Sequence, residues 1–203
     1  MTDPVGTVLF DLGGVLIDFG GIGPLGRLSG IADVDEVWRR WLTCEWVRTF
    51  ERGGCSAEDF AAGVVAEWGL PLDGPGFLAE FSSWLGDALP GAPQLVAEVG
   101  QVVPVGCLSN TNAEHWQHRD RWPFLDELDH RFLSFELGVV KPDRDLFDRV
   151  AELVAVPRGQ VLFLDDNQIN VDGARAAGFR AERTRGVAEA RAALVAAGVL
   201  GSS

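Results

Sequence analysis

Three short apolar segments of this sequence each run directly into side chains that carry oxygen. The segments and the polar residues after them are, in chain order, 7–10 before Asp11, 102–108 before Ser109 and Asn110, and 161–164 before Asp165 and Asp166. In an open parallel sheet, ligands bind at the carboxyl ends of the strands. We therefore expect these side chains to converge on one crevice.

Lys141 lies between the second and third of these segments and is the only lysine among 17 basic residues. Carboxylates that converge repel one another, so a positive group is expected among them. A compact ammonium suits a crowded, oxygen-lined pocket better than a planar guanidinium does. A hard cation is also expected, because Mg²⁺ prefers one or two carboxylates together with water and a substrate phosphate.

The elements that must position these residues are those of an α/β fold. Apolar runs alternate with helical stretches, which indicates a parallel sheet with crossover helices. Apolar residues recur at helical spacing between 146 and 154, and Asp143 is the expected N-cap of that helix. The Ala-rich stretch 170–177 is expected to end at Gly178.

The segment 18–88 has a different character, with no strong strand and five of the seven tryptophans. We expect it to be helical. Ser56 is the expected start of one helix. One helix face is expected to carry five residues at helical spacing, which are Trp38, Trp41, Leu42, Trp46 and Phe50.

The composition excludes several classes of function. A net charge of −13 argues against a nucleic-acid ligand, which needs clustered basic residues. No apolar run is long enough to span a bilayer, and no basic segment precedes an apolar stretch at the start, so we expect no membrane partner and no signal peptide. Three scattered cysteines fit a reducing, cytoplasmic location. One sequence does not predict an oligomeric state.

Four ordered motifs give the chain a resemblance to the haloacid dehalogenase-like superfamily. They are Phe10–Leu16, Leu108–Asn110, Lys141-Pro142 and Phe163–Asp166. The resemblance implies a Rossmann-like core (1–17 and 89–203) and a small helical cap (18–88) inserted after the first strand. Within the superfamily, the run 108–112, the cap segment 51–53, and the run 163–167 with Asn170 are similar to bacterial phosphatases that act on α-D-glucose 1-phosphate.

The resemblance also implies a role for each motif. Asp11 would attack phosphorus and form an aspartyl-phosphate, while Ser109 and Asn110 would bind a phosphoryl oxygen. Lys141 would neutralise charge. Mg²⁺ would be held by Asp11, the carbonyl of Gly13, and the pair Asp165 and Asp166, with Asp166 favoured as the direct ligand. The substrate would be a small phosphorylated metabolite, with a sugar phosphate as the expected case.

Gly13 departs from the pattern of the superfamily's phosphatases, which carry a second aspartate there as general acid and base. The leaving group is then either good enough to depart unaided or protonated by another residue. His115 and Glu51 are the candidates for that residue, and Arg52 beside Glu51 is expected to reach the substrate as well. Two other functions stay open on this sequence. One is a metal-independent dehalogenase, and the other is an inert module that binds a phosphorylated ligand or a protein.

Overall fold

A five-stranded parallel sheet forms the centre of the computed structural model, which describes residues 3–201. The five strands are β1 Thr7–Phe10, β4 Val105–Ser109, β5 His130–Leu133, β6 Val161–Asp165 and β7 Arg180–Arg183. Their order in the sheet is β5-β4-β1-β6-β7. This arrangement confirms the predicted α/β class with a parallel sheet.

The three central strands are those that the apolar runs predict. Every residue of β1, β4 and β6 is buried, because helices cover both faces of the sheet. The two edge strands, β5 (HRFL) and β7 (RAER), are not among the predicted strands. Edge strands are half solvated and keep charged side chains, so they lack the continuous apolar signal.

Helices lie on both faces of the sheet and in one insertion. Their bounds are α1 Ile22–Ser29, α2 Val34–Thr43, α3 Glu45–Glu51, α4 Ala57–Trp68, α5 Gly74–Ser82, α6 Ala92–Gly100, α7 Ala113–Trp116, α8 Ser134–Leu137, α9 Arg144–Leu153, α10 Gln168–Ala176 and α11 Gly186–Ala196. Short 3-10 helices occupy Arg119–Arg121, Pro123–Glu127 and Arg158–Gln160. Apolar residues of α6 and α11 pack on one face of the sheet, and those of α9 and α10 on the other. None of the helices in 3–201 is both long and apolar enough to cross a bilayer.

Helices α1 to α5, which we call the cap helices, lie between two short strands that pair antiparallel, β2 Ile17–Phe19 and β3 Leu85–Ala88. Neither strand is among the predicted elements, because each has at most four residues and is partly exposed. The cap helices have an aromatic core of their own, built around Trp41, Phe60 and Phe81. The division into a core (1–17, 89–203) and a cap (18–88) stays our interpretation of this arrangement.

The predicted single helix face from Trp38 to Phe50 is wrong, because the chain leaves the helical conformation at Cys44. Cys44 has φ −65° and ψ 121°, so it ends α2 and begins α3. Trp41 therefore packs in the cap core, whereas Trp46 is 39% exposed. The predicted helix start at Ser56 is confirmed, since its side chain accepts a hydrogen bond from the backbone N–H of Asp59.

Candidate active site

The structure brings the predicted strand-end residues together at the carboxyl edge of the sheet. Asp11 follows β1, Ser109 ends β4, and Asp165 ends β6. One cavity between the sheet and the cap helices contains most of the predicted site residues in its wall. Its lining includes Asp11, Gly13, Glu51, Ser109, Asn110, His115, Lys141 and Asp166.

Lys141 is buried with 1% of its side chain exposed, and its ammonium has three oxygen acceptors. Nζ lies 2.9 Å from Oδ1 of Asp11, 2.7 Å from Oδ2 of Asp165 and 2.9 Å from the carbonyl oxygen of Leu108. An ammonium has three N–H donors, so all of them are used. Burial opposes the charged form, but the two carboxylates outweigh it and raise the pKa of Lys141 above its ordinary value. This geometry explains why the site contains a lysine in an arginine-rich chain.

Asp165 is fully buried beneath the cavity, and both of its oxygens are engaged. Oδ1 accepts from the backbone N–H of Asn167, and Oδ2 accepts from Lys141. The Asn170 amide donates to both oxygens at 3.1 Å. Asp165 therefore orients Lys141, whereas Asp166 lines the cavity directly.

The residues present fit a hard divalent cation. Carboxylate oxygens of Asp11, Asp165 and Asp166 lie within 4.8 Å of one another. Burial, and after it the neighbouring carboxylates, raise the pKa of Asp11 to about 7 and of Asp166 to about 6, although Lys141 opposes both shifts. Asn170 Oδ1, a buried acceptor in the cavity lining, has no partner within 3–201. The set of donors is thus all oxygen and short of positive charge, as Mg²⁺ requires.

Two glycines shape the turn after Asp11 in different ways. Gly14 has φ +75°, and a Cβ there would lie 2.6 Å from Oδ2 of Asp166, so this position admits only glycine without disturbing the carboxylate. A Cβ on Gly13 would meet Phe19 Cβ at 3.4 Å, which is ordinary contact. A Cβ at position 13 is therefore compatible with the fold.

Asn110 and Ser109 differ in how far their side chains are engaged. Asn110 accepts from the backbone N–H of Lys141 at 2.8 Å and donates to its carbonyl oxygen at 3.0 Å. This pair of bonds fixes the turn that carries Lys141. The Ser109 hydroxyl makes one long contact, 3.5 Å to the Asn110 carbonyl, and lines the cavity.

The cap segment Glu51-Arg52-Gly53 places its residues in three separate environments. Glu51 lines the cavity, and burial raises the pKa of its carboxyl group to about 8. Arg52 is not among the described residues that line the cavity. Its guanidinium lies 3.1 Å from Oδ2 of Asp143 instead. Gly53 has φ +72°, and a Cβ there would lie 2.8 Å from the carbonyl oxygen of Phe135. The segment thus contacts the sheet domain through its second and third residues and the cavity through its first.

Asp143 occupies the N-cap position of α9, as predicted, but its side chain makes no capping hydrogen bond. Its carboxylate instead binds Arg48 at 2.6 Å and Arg52 at 3.1 Å, both on the C-terminal half of α3 or just after it. Two guanidinium groups outcompete one backbone N–H, because charged hydrogen bonds are the stronger ones.

His115 is buried against the cap and is a poor acid at neutral pH. Its Nε2 lies 3.0 Å from the carbonyl oxygen of Phe81, and its ring stacks on the Phe81 ring at 4.0 Å. A carbonyl only accepts, so Nε2 carries the proton of the neutral ring. Burial lowers the pKa of His115 to about 4, despite the opposing effect of this hydrogen bond.

The side of the cavity away from the carboxylates is apolar. Helix α2 contributes Trp38, Trp41 and Leu42, and the β2-β3 pair contributes Phe19 and Leu85. From the sequence, packing in the core of the cap is the favoured role for Trp38 and Trp41, and stacking on a sugar ring of the substrate is the alternative. The signal that could have separated the two roles is weak, because a lining residue and a core residue share the same helical spacing.

Comparison with known proteins identifies the class that this fold and site define. The family model of the haloacid dehalogenase-like hydrolases matches residues 5–178. The chain belongs to that family.

One sequence relative and one solved structure are similar to most of this chain. The sesquiterpene phosphatase astK of Aspergillus oryzae is 29% identical over 175 residues, which cover 84% of this chain and 85% of astK. The family enzyme bt-2542 of Bacteroides thetaiotaomicron, solved with magnesium and inorganic phosphate, has a TM-score of 0.69 at 23% identity and covers 89% of this chain and 94% of its own.

A third neighbour has different chemistry on the same fold. The L-2-haloacid dehalogenase of Xanthobacter autotrophicus has a TM-score of 0.64 at 24% identity, with coverage of 89% of this chain and 77% of its own. Both structural neighbours share the fold with this chain, so the fold alone does not separate phosphatase from dehalogenase.

Proposed function

We propose that this hydrolase is a Mg²⁺-dependent phosphatase that forms an aspartyl-phosphate on Asp11. The observation that carries the proposal is the cluster of Asp11, Asp165 and Asp166 beside an ammonium whose three N–H donors are all used, together with the raised pKa values of Asp11 and Asp166. Such a cluster needs a further cation, which phosphoryl transfer uses and hydrolytic dehalogenation does not. The relative astK, a sesquiterpene phosphatase by name, supports the same reaction class.

Each residue at the strand ends has its own role in this reaction. Asp11 Oδ1 accepts from Lys141 and from the backbone N–H of Leu12, and these bonds orient the carboxylate for attack on phosphorus. Ser109 donates its hydroxyl proton to a phosphoryl oxygen. Asp11, Asp166 and the Gly13 carbonyl would hold Mg²⁺, which would supply charge neutralisation in the transition state.

The body of the substrate is proposed to be apolar. Many polar groups of the cavity wall already have partners: Asn110 bonds the backbone of Lys141, Asn112 accepts from the His115 N–H, and His115 bonds Phe81. The cap side offers mainly indole, phenyl and leucine surface. A polyhydroxylated body would lose hydration there without regaining hydrogen bonds, whereas a hydrocarbon body gains about 25 cal/mol per Å² buried.

A sugar phosphate, expected from the motif resemblance, is the second candidate. The observation in its favour is the Glu51 carboxyl group, which lines the cavity, has no hydrogen-bond partner within residues 3–201, and has the chemistry to bind a substrate hydroxyl. A direct comparison of farnesyl phosphate, octyl phosphate and glucose 1-phosphate separates the two. Higher kcat/KM for the two apolar esters supports the apolar body, and preference for glucose 1-phosphate contradicts it.

Phosphate release tests the reaction itself. We expect release with Mg²⁺, loss of release with EDTA, and loss in Asp11→Asn but not in the matched control Asp145→Asn, whose side chain is exposed on α9. Beryllofluoride should bind the wild type and not Asp11→Asn. EDTA-resistant halide release from 2-chloropropionate would favour the dehalogenase, and the absence of both activities and of beryllofluoride binding would favour the inert module.

A further inference from the structure

The turn after Asp11 has no group that could protonate a leaving oxygen, because position 13 is glycine. The cap contributes a carboxyl group to the same cavity. Glu51 is the last residue of α3 and lines the same cavity as Asp11 and Lys141. One cavity therefore contains both the nucleophile and a cap carboxyl group, and the charges of Asp11 and Lys141 both act on that group.

The Glu51 carboxyl group is available for this task. It is partly buried and makes neither a hydrogen bond nor an ion pair with any residue that the structure describes. Burial is the main influence on its pKa, which it raises to about 8. Lys141 and Arg48 lower the pKa, and Asp11 raises it. At neutral pH the group therefore carries a proton.

The neighbouring residues hold Glu51 in place. Arg48 lies one turn earlier in α3 and Arg52 follows Glu51 directly, and both bind Asp143 of the sheet domain. Gly53 approaches the backbone of Phe135 more closely than any side chain would allow. The end of α3 is thus fixed on both sides of Glu51, which is the positioning that a proton donor requires.

We propose that Glu51 is the general acid and base of the reaction, in place of the side chain absent at position 13. The inference rests on the proposed phosphatase function. In the first step an oxygen of Asp11 bonds to phosphorus, the ester P–O bond breaks, and the departing oxygen takes the Glu51 proton to leave as an alcohol. In the second step water bonds to phosphorus, Glu51 takes a proton from that water, and the Asp11–phosphorus bond breaks. Inorganic phosphate leaves, and Glu51 is again protonated.

Leaving-group dependence tests the proposal, because kcat/KM reports the step in which the alcohol departs. Octanol is a poor leaving group and needs the proton, whereas 4-nitrophenolate does not. For Glu51→Gln we expect kcat/KM on octyl phosphate to fall by about 10²–10⁴-fold and on 4-nitrophenyl phosphate by less than about tenfold. We also expect a burst of 4-nitrophenolate, since water activation is slowed in the second step.

Two further variants separate chemistry from structure. Glu58→Gln, an exposed position on α4, is the matched control and should match the wild type on both esters. Glu51→Asp retains a carboxyl group and should recover part of the octyl phosphate activity. Equal loss on both esters, or no loss on octyl phosphate, would overturn the proposal while the phosphatase stands. Absence of turnover of both esters by the wild type would overturn the proposed function and this inference with it.

Discussion

Arg48 of the cap lies 2.6 Å from Oδ2 of Asp143, and Asp143 follows Lys141 by two residues. The turn that supplies the ammonium to Asp11 is therefore the same turn that binds the cap. The Asn110 side chain also fixes that turn, through two hydrogen bonds to the Lys141 backbone. The cap and the nucleophile are thus positioned by one short segment of chain.

This relationship predicts that Asp143→Ala loosens the cap. Each ion pair is partly exposed, so each contributes about 1 kcal/mol or less to cap closure. We expect kcat/KM to fall by about three- to tenfold, with higher sensitivity to salt. A double-mutant cycle of Arg48→Ala with Asp143→Ala measures the coupling. Strict additivity of the two substitutions would show that the pair does not act on closure.

Substitution of Lys141 should be costly to both stability and activity. Lys141→Met leaves two buried carboxylates without their cation, and we expect a loss of about 3–5 kcal/mol in the free energy of unfolding at neutral pH, measured in urea. Lys141→Arg keeps the charge, but a planar fork does not reach the three acceptors that surround Nζ. We expect it to lose at least about 10²-fold in kcat. Arg27→Met, a substitution on α1, is the control for loss of a cation away from the site. Near-native activity of Lys141→Arg would contradict the proposed need for an ammonium at this position.

The two glycines after Asp11 should respond in opposite ways. Gly13→Asp is compatible with the observed spacing to Phe19, and in the Glu51→Gln background we expect it to raise kcat/KM on octyl phosphate by at least about tenfold. Gly14→Ala forces a side chain into φ +75° and against Asp166, so we expect about 1–3 kcal/mol of destabilisation and weaker Mg²⁺ binding. Gly198→Ala is the matched control, because Gly198 has φ +76° and open space around an added Cβ, and its Mg²⁺ affinity should stay unchanged.

Mg²⁺ binding should depend on pH near neutrality. In the metal-free protein the pKa of Asp11 is raised to about 7 and that of Asp166 to about 6, chiefly by burial. Both carboxyl groups must lose their protons to bind the metal, so affinity is highest above pH 7 and falls as the pH drops through 7 and then 6. Calorimetry in buffers of different ionisation enthalpy should detect proton release on binding at pH 6.5. Binding without proton release at that pH would argue against metal contact with these two residues.

The apolar runs sufficed to predict β1, β4 and β6 and hence the convergence of Asp11, Ser109 and Asp165 at one edge. This success has a simple cause, since buried parallel strands have an unambiguous pattern. Contacts distant in the sequence left no such pattern. Nothing near Asp143 indicates that two arginines about 90 residues earlier bind it, and the N-cap expectation rested on local preference alone. The position of Glu51 in the cavity wall also left no pattern in the sequence. A charged pair such as Glu51-Arg52 before two glycines is equally typical of a solvated turn.

Because Lys141 is the chain's one side-chain amine and only 1% of it is exposed, the protein contains a built-in reporter of its own opening. An amine-reactive reagent has no lysine to modify while the sheet edge is intact. Acylation of Lys141 then measures how often the nucleophile's surroundings come apart, on a timescale set by native-state fluctuation rather than by turnover. Mass spectrometry of the acylated protein can therefore report how intact the active site is, and no engineered residue is needed for the measurement.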